Sequence, residues 1–518
     1  MIMSARINPM VVVIRWQRCI LLLFFVFGLP TASSSSLLLF AFCSPLQQKS
    51  SEQTSKVHHH MKHDNNDDDT SFGLYVHIPY CRRRCNYCDF AITPIGANHD
   101  NDETRADGFR KLDAKYKNAV LNEIDVIQST CNHPQETIRL RSIYFGGGTP
   151  SLAPLSTLQA ILDKIVNSED SIFILNEDAE ITIEMDPGTF DLPYLIAIKE
   201  MGFNRISLGV QSFDDDILST MGRVHRSVDV YSSIEMIQQI YGEYANYSID
   251  LIFGVPGLTL AGWTDTLYKA VRLRPRPMHL SLYDLQLEKG TSFGKWYKNA
   301  VDMDDARDVL FDKSSSAHPT LPSVEDCAFM YCFASGYLRS KNYDHYEISS
   351  YAYTTPDGTL HRSKHNSNYW GYGAQWYAVG MGSTSNINGV RFARPRALSD
   401  YVLWTEDLKK DRSKLPPWLY KDTDGELEDT GDDLLDVIMT RLRTSEGLNL
   451  DWVAHHDNYG ETHVKEILRG FQLALDLGLG HRIDGRNGTY GFIKLSDPKG
   501  FLFSNNIISN IFLSLSEM

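Results

Sequence analysis

His77-Ile78-Pro79-Tyr80-Cys81-Arg82-Arg83-Arg84-Cys85-Asn86-Tyr87-Cys88 decides how the rest of the chain is read. A Cys-x3-Cys-x2-Cys spacing lets three thiolates wrap one cluster from a short loop. Thiolates are soft anionic donors, which suits iron–sulfur chemistry. Three ligands for the four irons of a [4Fe–4S] cluster leave one iron open, where a co-substrate can chelate. Structural zinc is the rival. It wants a fourth ligand and usually two separated pairs, whereas His77 lies within the strand that precedes the cysteines. The chain has 8 cysteines in 518 residues, too few for a disulfide scaffold. Cys19, Cys43, Cys131, Cys327 and Cys332 are scattered, as expected of inert thiols in a reducing compartment.

Outward from this loop, short apolar strands alternate with helical stretches. The pattern predicts strands at 72–79, 141–146, 179–185, 203–210, 247–253 and 278–284. It predicts helices at 112–129, 155–166, 193–201, 229–241 and 262–273. Such alternation implies a parallel sheet with right-handed crossovers. The fold class is α/β, a partial (βα)6 barrel whose chemistry sits at the C-terminal ends of its strands. Residues 72–300 form the barrel core and 301–404 complete it. Acidic or Ser-rich stretches at 96–108 and 302–318 read as surface insertions. Pro416-Pro417 and an acidic run mark 405–430 as a linker. Residues 431–518 carry helical patterns at 432–443, 461–477 and near 500–515. With β-like runs at 479–484 and 489–495, they read as a small α+β, winged-helix-like domain.

The cysteine motif, with an aromatic residue before its third cysteine, resembles the radical S-adenosylmethionine (radical SAM) superfamily. The resemblance extends in order from Phe72 to about Asp284. It implies that the open iron binds the amino and carboxylate groups of S-adenosylmethionine, which is cleaved to methionine and a 5′-deoxyadenosyl radical. Gly146-Gly147-Gly148-Thr149-Pro150 resembles the segment that binds the methionine amino group; its glycines permit close backbone approach. Glu184, in Ile183-Glu184-Met185-Asp186-Pro187, resembles the ribose-binding glutamate. Tyr75, Gln211, Arg223 and Asp250 match positions that contact S-adenosylmethionine in oxygen-independent coproporphyrinogen oxidases. For Asp250, a structural pairing with Arg223 stays open.

Two features point within the HemN/HemW group. The HemN dehydrogenases carry a fourth cysteine two positions after the third, where this chain has Phe90. His365-Asn366-Ser367-Asn368-Tyr369-Trp370 matches the His-Asn-x-x-Tyr-Trp motif of the HemW haem chaperones, and Tyr346-Glu347-Ile348-Ser349 agrees. The resemblance implies haem as a third cofactor, with the His365 imidazole as its iron ligand and Tyr369 and Trp370 flanking the ring. One departure is that Gly380-Met381-Gly382-Ser383-Thr384 lacks the histidine that usually follows the motif. The expected function is delivery of haem to acceptor apo-proteins, with an electron donor as a further partner and a homodimer left open. The alternative is oxidative decarboxylation of coproporphyrinogen III. Radical modification of RNA finds no basic domain to support it.

Composition bounds the partners. A net charge of −15 argues against a nucleic-acid surface, and 42% hydrophobic residues suit a globular protein. Residues 1–51 contain no Asp or Glu, and Arg6, Arg15 and Arg18 precede the apolar run Cys19–Leu29. That run is too short for a membrane span, so 1–50 reads as a targeting presequence and no stable span remains after processing. Phe40-Ala41-Phe42-Cys43-Ser44-Pro45 resembles the cleavage site of diatom plastid proteins, which favours a plastid; a mitochondrion is the alternative. Residues 51–71, with His58–His60 and Asp67–Asp69, read as a disordered linker.

Overall fold

On each barrel strand, side chains of one parity are apolar and those of the other are mostly polar. Leu74, Val76 and Ile78, Ile143 and Phe145, Ile181 and Ile183, Leu208 and Val210, Ile249 and Leu251 are all buried. They join Leu158, Ile161, Leu195, Ile198, Ile234, Ile237 and Leu267 of the surrounding helices in one apolar cluster. The opposite parity brings Tyr75, Ser142, Tyr144, Glu180, Glu184, Ser207, Asp250 and Ser281 onto the inner face. Period-two alternation therefore separates a greasy outer layer from a polar lumen.

The computed structural model describes residues 71–518 apart from 97–102, 131–136, 169–170, 298–317, 409, 412–413, 415–433 and 486–487. The strands of its main sheet are β1 (Phe72–Ile78), β2 (Ile138–Gly147), β3 (Phe173–Met185), β4 (Arg205–Gln211), β5 (Tyr247–Phe253) and β6 (His279–Asp284), then β7 (Tyr343–Glu347), β8 (Ser350–Tyr353), β9 (Trp376–Val379), β10 (Thr384–Ile387) and β11 (Val390–Ala393). Their order is β11-β10-β9-β1-β2-β3-β4-β5-β6-β8-β7. β1 to β6 are mutually parallel, as predicted. Residues 301–404 extend the sheet at both ends: β9 joins β1 in parallel, while β8 pairs antiparallel with β6.

Crossover helices α1 (Glu103–Thr130), α2 (Leu155–Val166), α3 (Leu192–Glu200), α4 (Ser227–Tyr241) and α5 (Leu260–Arg272) follow the strands. The insertion expected at 96–108 needs correction, because α1 already begins at Glu103. Its first turns lack apolar periodicity because they are largely exposed, with surface ion pairs such as Lys111–Asp107 (2.6 Å) and Phe109 packed edge-on to Tyr80. α6 (Val324–Arg339), α7 (Lys364–Asn368) and α8 (Leu398–Asp407) follow the barrel core. α8 enters the segment expected as a linker, most of which lies outside the described residues, as do the presequence, the histidine tract and nearly all of 302–318.

Thr70–Met518 holds together as one unit. Its C-terminal part packs helices Leu434–Arg441, Leu450–His455, Glu461–Asp476 and Ser504–Ser516 against a three-stranded sheet. It docks on the barrel through Ile348 N–H to Arg443 O (3.1 Å), Ser445 N–H to Tyr346 O (2.9 Å) and a His345–Asp497 contact of 2.7 Å. Among the described residues no helix is long and apolar enough to cross a membrane.

Candidate functional site

The cysteine loop leaves β1 at the C-terminal end of the barrel and is tied down by its backbone. Thr93 N–H donates to Pro79 O (2.7 Å), Ile95 N–H to Cys81 O (2.8 Å) and Asn86 N–H to Met221 O (2.9 Å). Its three arginines brace it further. Arg83 donates to Gly222 O and Arg223 O (2.7 and 2.5 Å), Arg84 to Phe90 O (2.9 Å) and Arg82 to Gly188 O (3.2 Å). Cys81, Cys85 and Cys88 are free and partly buried. Burial pushes the Cys81 thiol up to about 12 and raises Cys88 too, and the neighbouring thiols oppose ionisation further. A metal bound by Cys81 and Cys88 would offset that cost by favouring their thiolates. Among the described residues no three His, Cys, Asp or Glu side chains converge as ligands of a single metal ion.

The glycine triplet sits at the end of β2. Its tight contacts are with the protein itself. Gly147 has φ +114°, and a Cβ there would lie 2.4 Å from the His77 ring. A Cβ on Gly148 would come within 2.7 Å of the Pro79–Tyr80 backbone. The N–H groups of Gly147, Gly148 and Thr149 already donate to Glu184 Oε2 (2.9 Å), Ile78 O (2.8 Å) and Tyr80 O (2.6 Å). Thr149 places its hydroxyl 3.6 Å from Cys81 Sγ, so the triplet locks the cysteine loop onto the pocket.

Glu184 is enclosed next to it. Tyr144 O–H donates to Oε1 (2.8 Å), and burial, with Asp250 nearby, pushes the carboxyl up to about 7. Burial likewise pushes Asp250 up to about 6; it accepts from Ser207 (3.4 Å). Arg223 resolves the alternative left open for Asp250: its close partner is Asp186. It also donates to Gly209 O (3.1 Å), Tyr87 OH (3.3 Å) and Cys85 Sγ (3.5 Å), joining the cluster loop to the pocket wall. Burial would raise the Asp186 carboxyl, but Arg223 and His225 outweigh it and hold it below the ordinary range. Gln211, at φ +64°, carries a buried Oε1 with no hydrogen-bond partner. An orphaned acceptor on the inner wall is what a donor group of a bound co-substrate would satisfy. Tyr75 lines the same wall, its ring 6.1 Å from that of Tyr144.

His365 lies lower in the barrel and is 2% exposed. Its Nδ1 is 3.0 Å from Ser142 Oγ and its Nε2 2.8 Å from Tyr369 OH. Burial, and then Arg205, pushes the imidazole down to about 3, so it is neutral. As placed, the ring presents no free nitrogen to a haem iron, and it does not fit the role of axial ligand. Tyr369 packs edge-on to Trp376 (4.8 Å) instead of standing free, and Trp370 O accepts from Arg441 (2.8 Å). Tyr144 and Asp186 were missed by sequence reasoning, and His77 was weighed only as a zinc ligand, not as the ring packed against Gly147. Tyr144 and Asp186 lie two positions from Gly146 and Glu184, on the inward parity, which was the signal available for them.

Comparisons with known proteins agree with this arrangement. The radical SAM superfamily matches over residues 75–268. The haem chaperone HemW of Synechocystis sp. is 34% identical over 453 residues, spanning 86% of this chain and 97% of the relative. HemW of Bacillus subtilis is 29% identical over 329 residues, 63% of this chain and 74% of the relative. The mitochondrial radical S-adenosyl methionine domain-containing protein 1 of Bos taurus is 31% identical over 312 residues, 60% of this chain and 59% of the relative. Among solved structures, the radical SAM coproporphyrinogen III oxidase HemN of Escherichia coli superposes with a TM-score of 0.61 at 19% identity. That match covers 85% of this chain and 90% of the other, and shows the shared fold.

Proposed function

The chain belongs to the HemW group of the radical SAM superfamily, and from that premise we propose that it is a haem chaperone. It holds a [4Fe–4S] cluster on Cys81, Cys85 and Cys88, binds S-adenosylmethionine beside it, and delivers haem to acceptor apo-proteins. What carries this reading is the match to the Synechocystis chaperone over 97% of that protein's length. Phe90, half exposed where the dehydrogenases have a fourth cysteine, supports it.

When bound, the cluster supplies one electron at an iron open to the co-substrate. Around it, Arg223 and Thr149 fix the thiol loop, and Gln211 Oε1 accepts from the co-substrate. Glu184 takes the ribose hydroxyls, its orientation set by Tyr144 and Gly147. The acid-free leader supports an organellar address, a plastid by its Phe40–Pro45 stretch; the relatives named as mitochondrial support the alternative.

The test is anaerobic reconstitution of the full chain, followed by a haem titration and a coproporphyrinogen III assay on the same sample. Saturable haem binding, haem transfer to an added apo-protein and no protoporphyrinogen IX are expected. Absence of saturable haem binding sinks the chaperone reading. Product above a cluster-free control would instead make the protein a dehydrogenase.

A further inference from the structure

The His-Asn-x-x-Tyr-Trp motif is built into the barrel wall beneath the pocket. Glu180, 6% exposed and 3.7 Å from Arg205, accepts from Ser363 O–H (3.3 Å) and from the backbone N–H groups of Lys364 and His365 (3.2 Å each). This carboxylate seats the first turn of α7 on β3. Gly73 of β1 makes room for the motif. A Cβ there would lie 2.9 Å from Asn368 Nδ2 and 3.4 Å from His365 Nδ1. Asn368 in turn donates to Gln375 O (2.9 Å), at the start of β9.

The His365 ring, clamped between the Ser142 and Tyr369 hydroxyls, stacks on Tyr144 with centroids 4.8 Å apart and planes 22° apart. Tyr144 then reaches Glu184 with its hydroxyl (2.8 Å). An axial haem ligand needs a free ring nitrogen and an open approach, and His365 has neither. We infer that His365 and Tyr369 are positioning residues for S-adenosylmethionine, acting through Tyr144 on Glu184, and that haem iron takes its ligand elsewhere. This rests on reading Glu184 as a co-substrate contact.

Whichever ring nitrogen carries the proton, both are bonded, so the clamp holds in either tautomer. The groups facing Glu184 are Tyr75, Tyr144, Tyr369, Asp250 and Tyr283, together with the Gly147 N–H. Of these, Tyr144 and Gly147 donate directly and favour the carboxylate, while Asp250 opposes it. Loosening Tyr144 therefore raises the pH at which Glu184 ionises.

The experiment measures S-adenosylmethionine affinity, its pH profile and haem affinity on the anaerobic, cluster-loaded full chain. The variants are His365→Ala, His365→Gln, Tyr369→Phe and Tyr144→Phe. Tyr144→Phe and His365→Ala should weaken S-adenosylmethionine about ten-fold and move the midpoint of its pH profile upward. A role in fold stability alone would leave that midpoint where it is. His365→Gln, whose amide can meet both hydroxyls, should recover most of the affinity, and haem affinity should stay at the wild-type value throughout. If His365→Ala does not fold, the two Tyr→Phe variants, each lacking one hydroxyl, decide the matter. Loss of haem binding in His365→Ala with S-adenosylmethionine affinity unchanged would overturn the inference. Wild type that binds no S-adenosylmethionine would overturn the pocket reading, and this one with it.

Discussion

Replacing Glu184 with Gln isolates the charge of the pocket from its hydrogen bonds. The new side-chain carbonyl would still accept from Gly147 N–H, and its amide would donate to the Tyr144 hydroxyl, so both native contacts survive. The native carboxyl, largely enclosed, is pushed by burial from its ordinary 4.5 up to about 7. Its folded value lies above its unfolded value, so the folded state binds the proton more tightly. Stability attributable to this group is complete below about pH 4.5 and falls as pH rises towards 7. At 1.36 kcal/mol for each unit of pH, the loss comes to about 3 kcal/mol by pH 8. Asp250 titrates with it, so that figure is an upper bound for one member of a pair.

Denaturant unfolding of the cluster-loaded protein without S-adenosylmethionine, at pH 5 and pH 8, measures this directly. Wild type should lose stability between the two, and Glu184→Gln should lose less by up to that amount. The variant should be the more stable protein at pH 8. Parallel pH dependences for the two proteins would refute the reasoning, because they would mean that Glu184 does not hold its proton in the fold.

Gly147→Ala should cost at least about 2 kcal/mol, or prevent accumulation of soluble protein, since it forces a Cβ onto a left-handed backbone and into the His77 ring. Denaturant midpoints compare it with Gly336→Ala, where a Cβ meets open space. Arg394→Met breaks a buried pair with Glu123 (2.7 Å, both almost fully enclosed) and leaves that carboxylate behind. About 3–5 kcal/mol should be lost, and the double variant with Glu123→Gln should recover much of it in a double-mutant cycle.

The barrel core was legible because each strand–helix unit repeats a local pattern. β5 falls on the predicted residues, four other predicted strands match observed ones to within three residues at each end, and β3 begins six residues before its predicted start. β7 to β11 were not legible. They are four or five residues long and mixed in polarity; β7, β10 and β11 pair with their neighbours in sequence, while β8 and β9 reach the barrel through partners distant in the chain. The cysteine cluster was readable because its three thiols fall within eight positions, and the structure keeps them on one loop. The glycine triplet declared close approach but not to what, and the answer, His77 and the Pro79–Tyr80 backbone, lies about 70 residues upstream. His365 shows the same limit. Its family motif is local, whereas its hydrogen-bond partner Ser142 and the Glu180 anchor of its backbone come from β2 and β3.

The position of β9 bears on how the protein matures. β1, which launches the cysteine loop, is flanked by β2 on one side and β9 on the other, and Gly73 pairs with Trp376 about 300 positions later. Gly380 N–H and Met381 N–H then reach Glu123 and the Tyr116 hydroxyl of α1, and that same hydroxyl donates to His77 O at the root of the loop. A chain emerging from the ribosome lacks this second wall until nearly three quarters of it has been made. Contacts of such long range form late in folding. The wall that braces the root of the cysteine loop is therefore unfinished on the nascent polypeptide until β9 has been made, and any metal group held by that loop would find its full support only then.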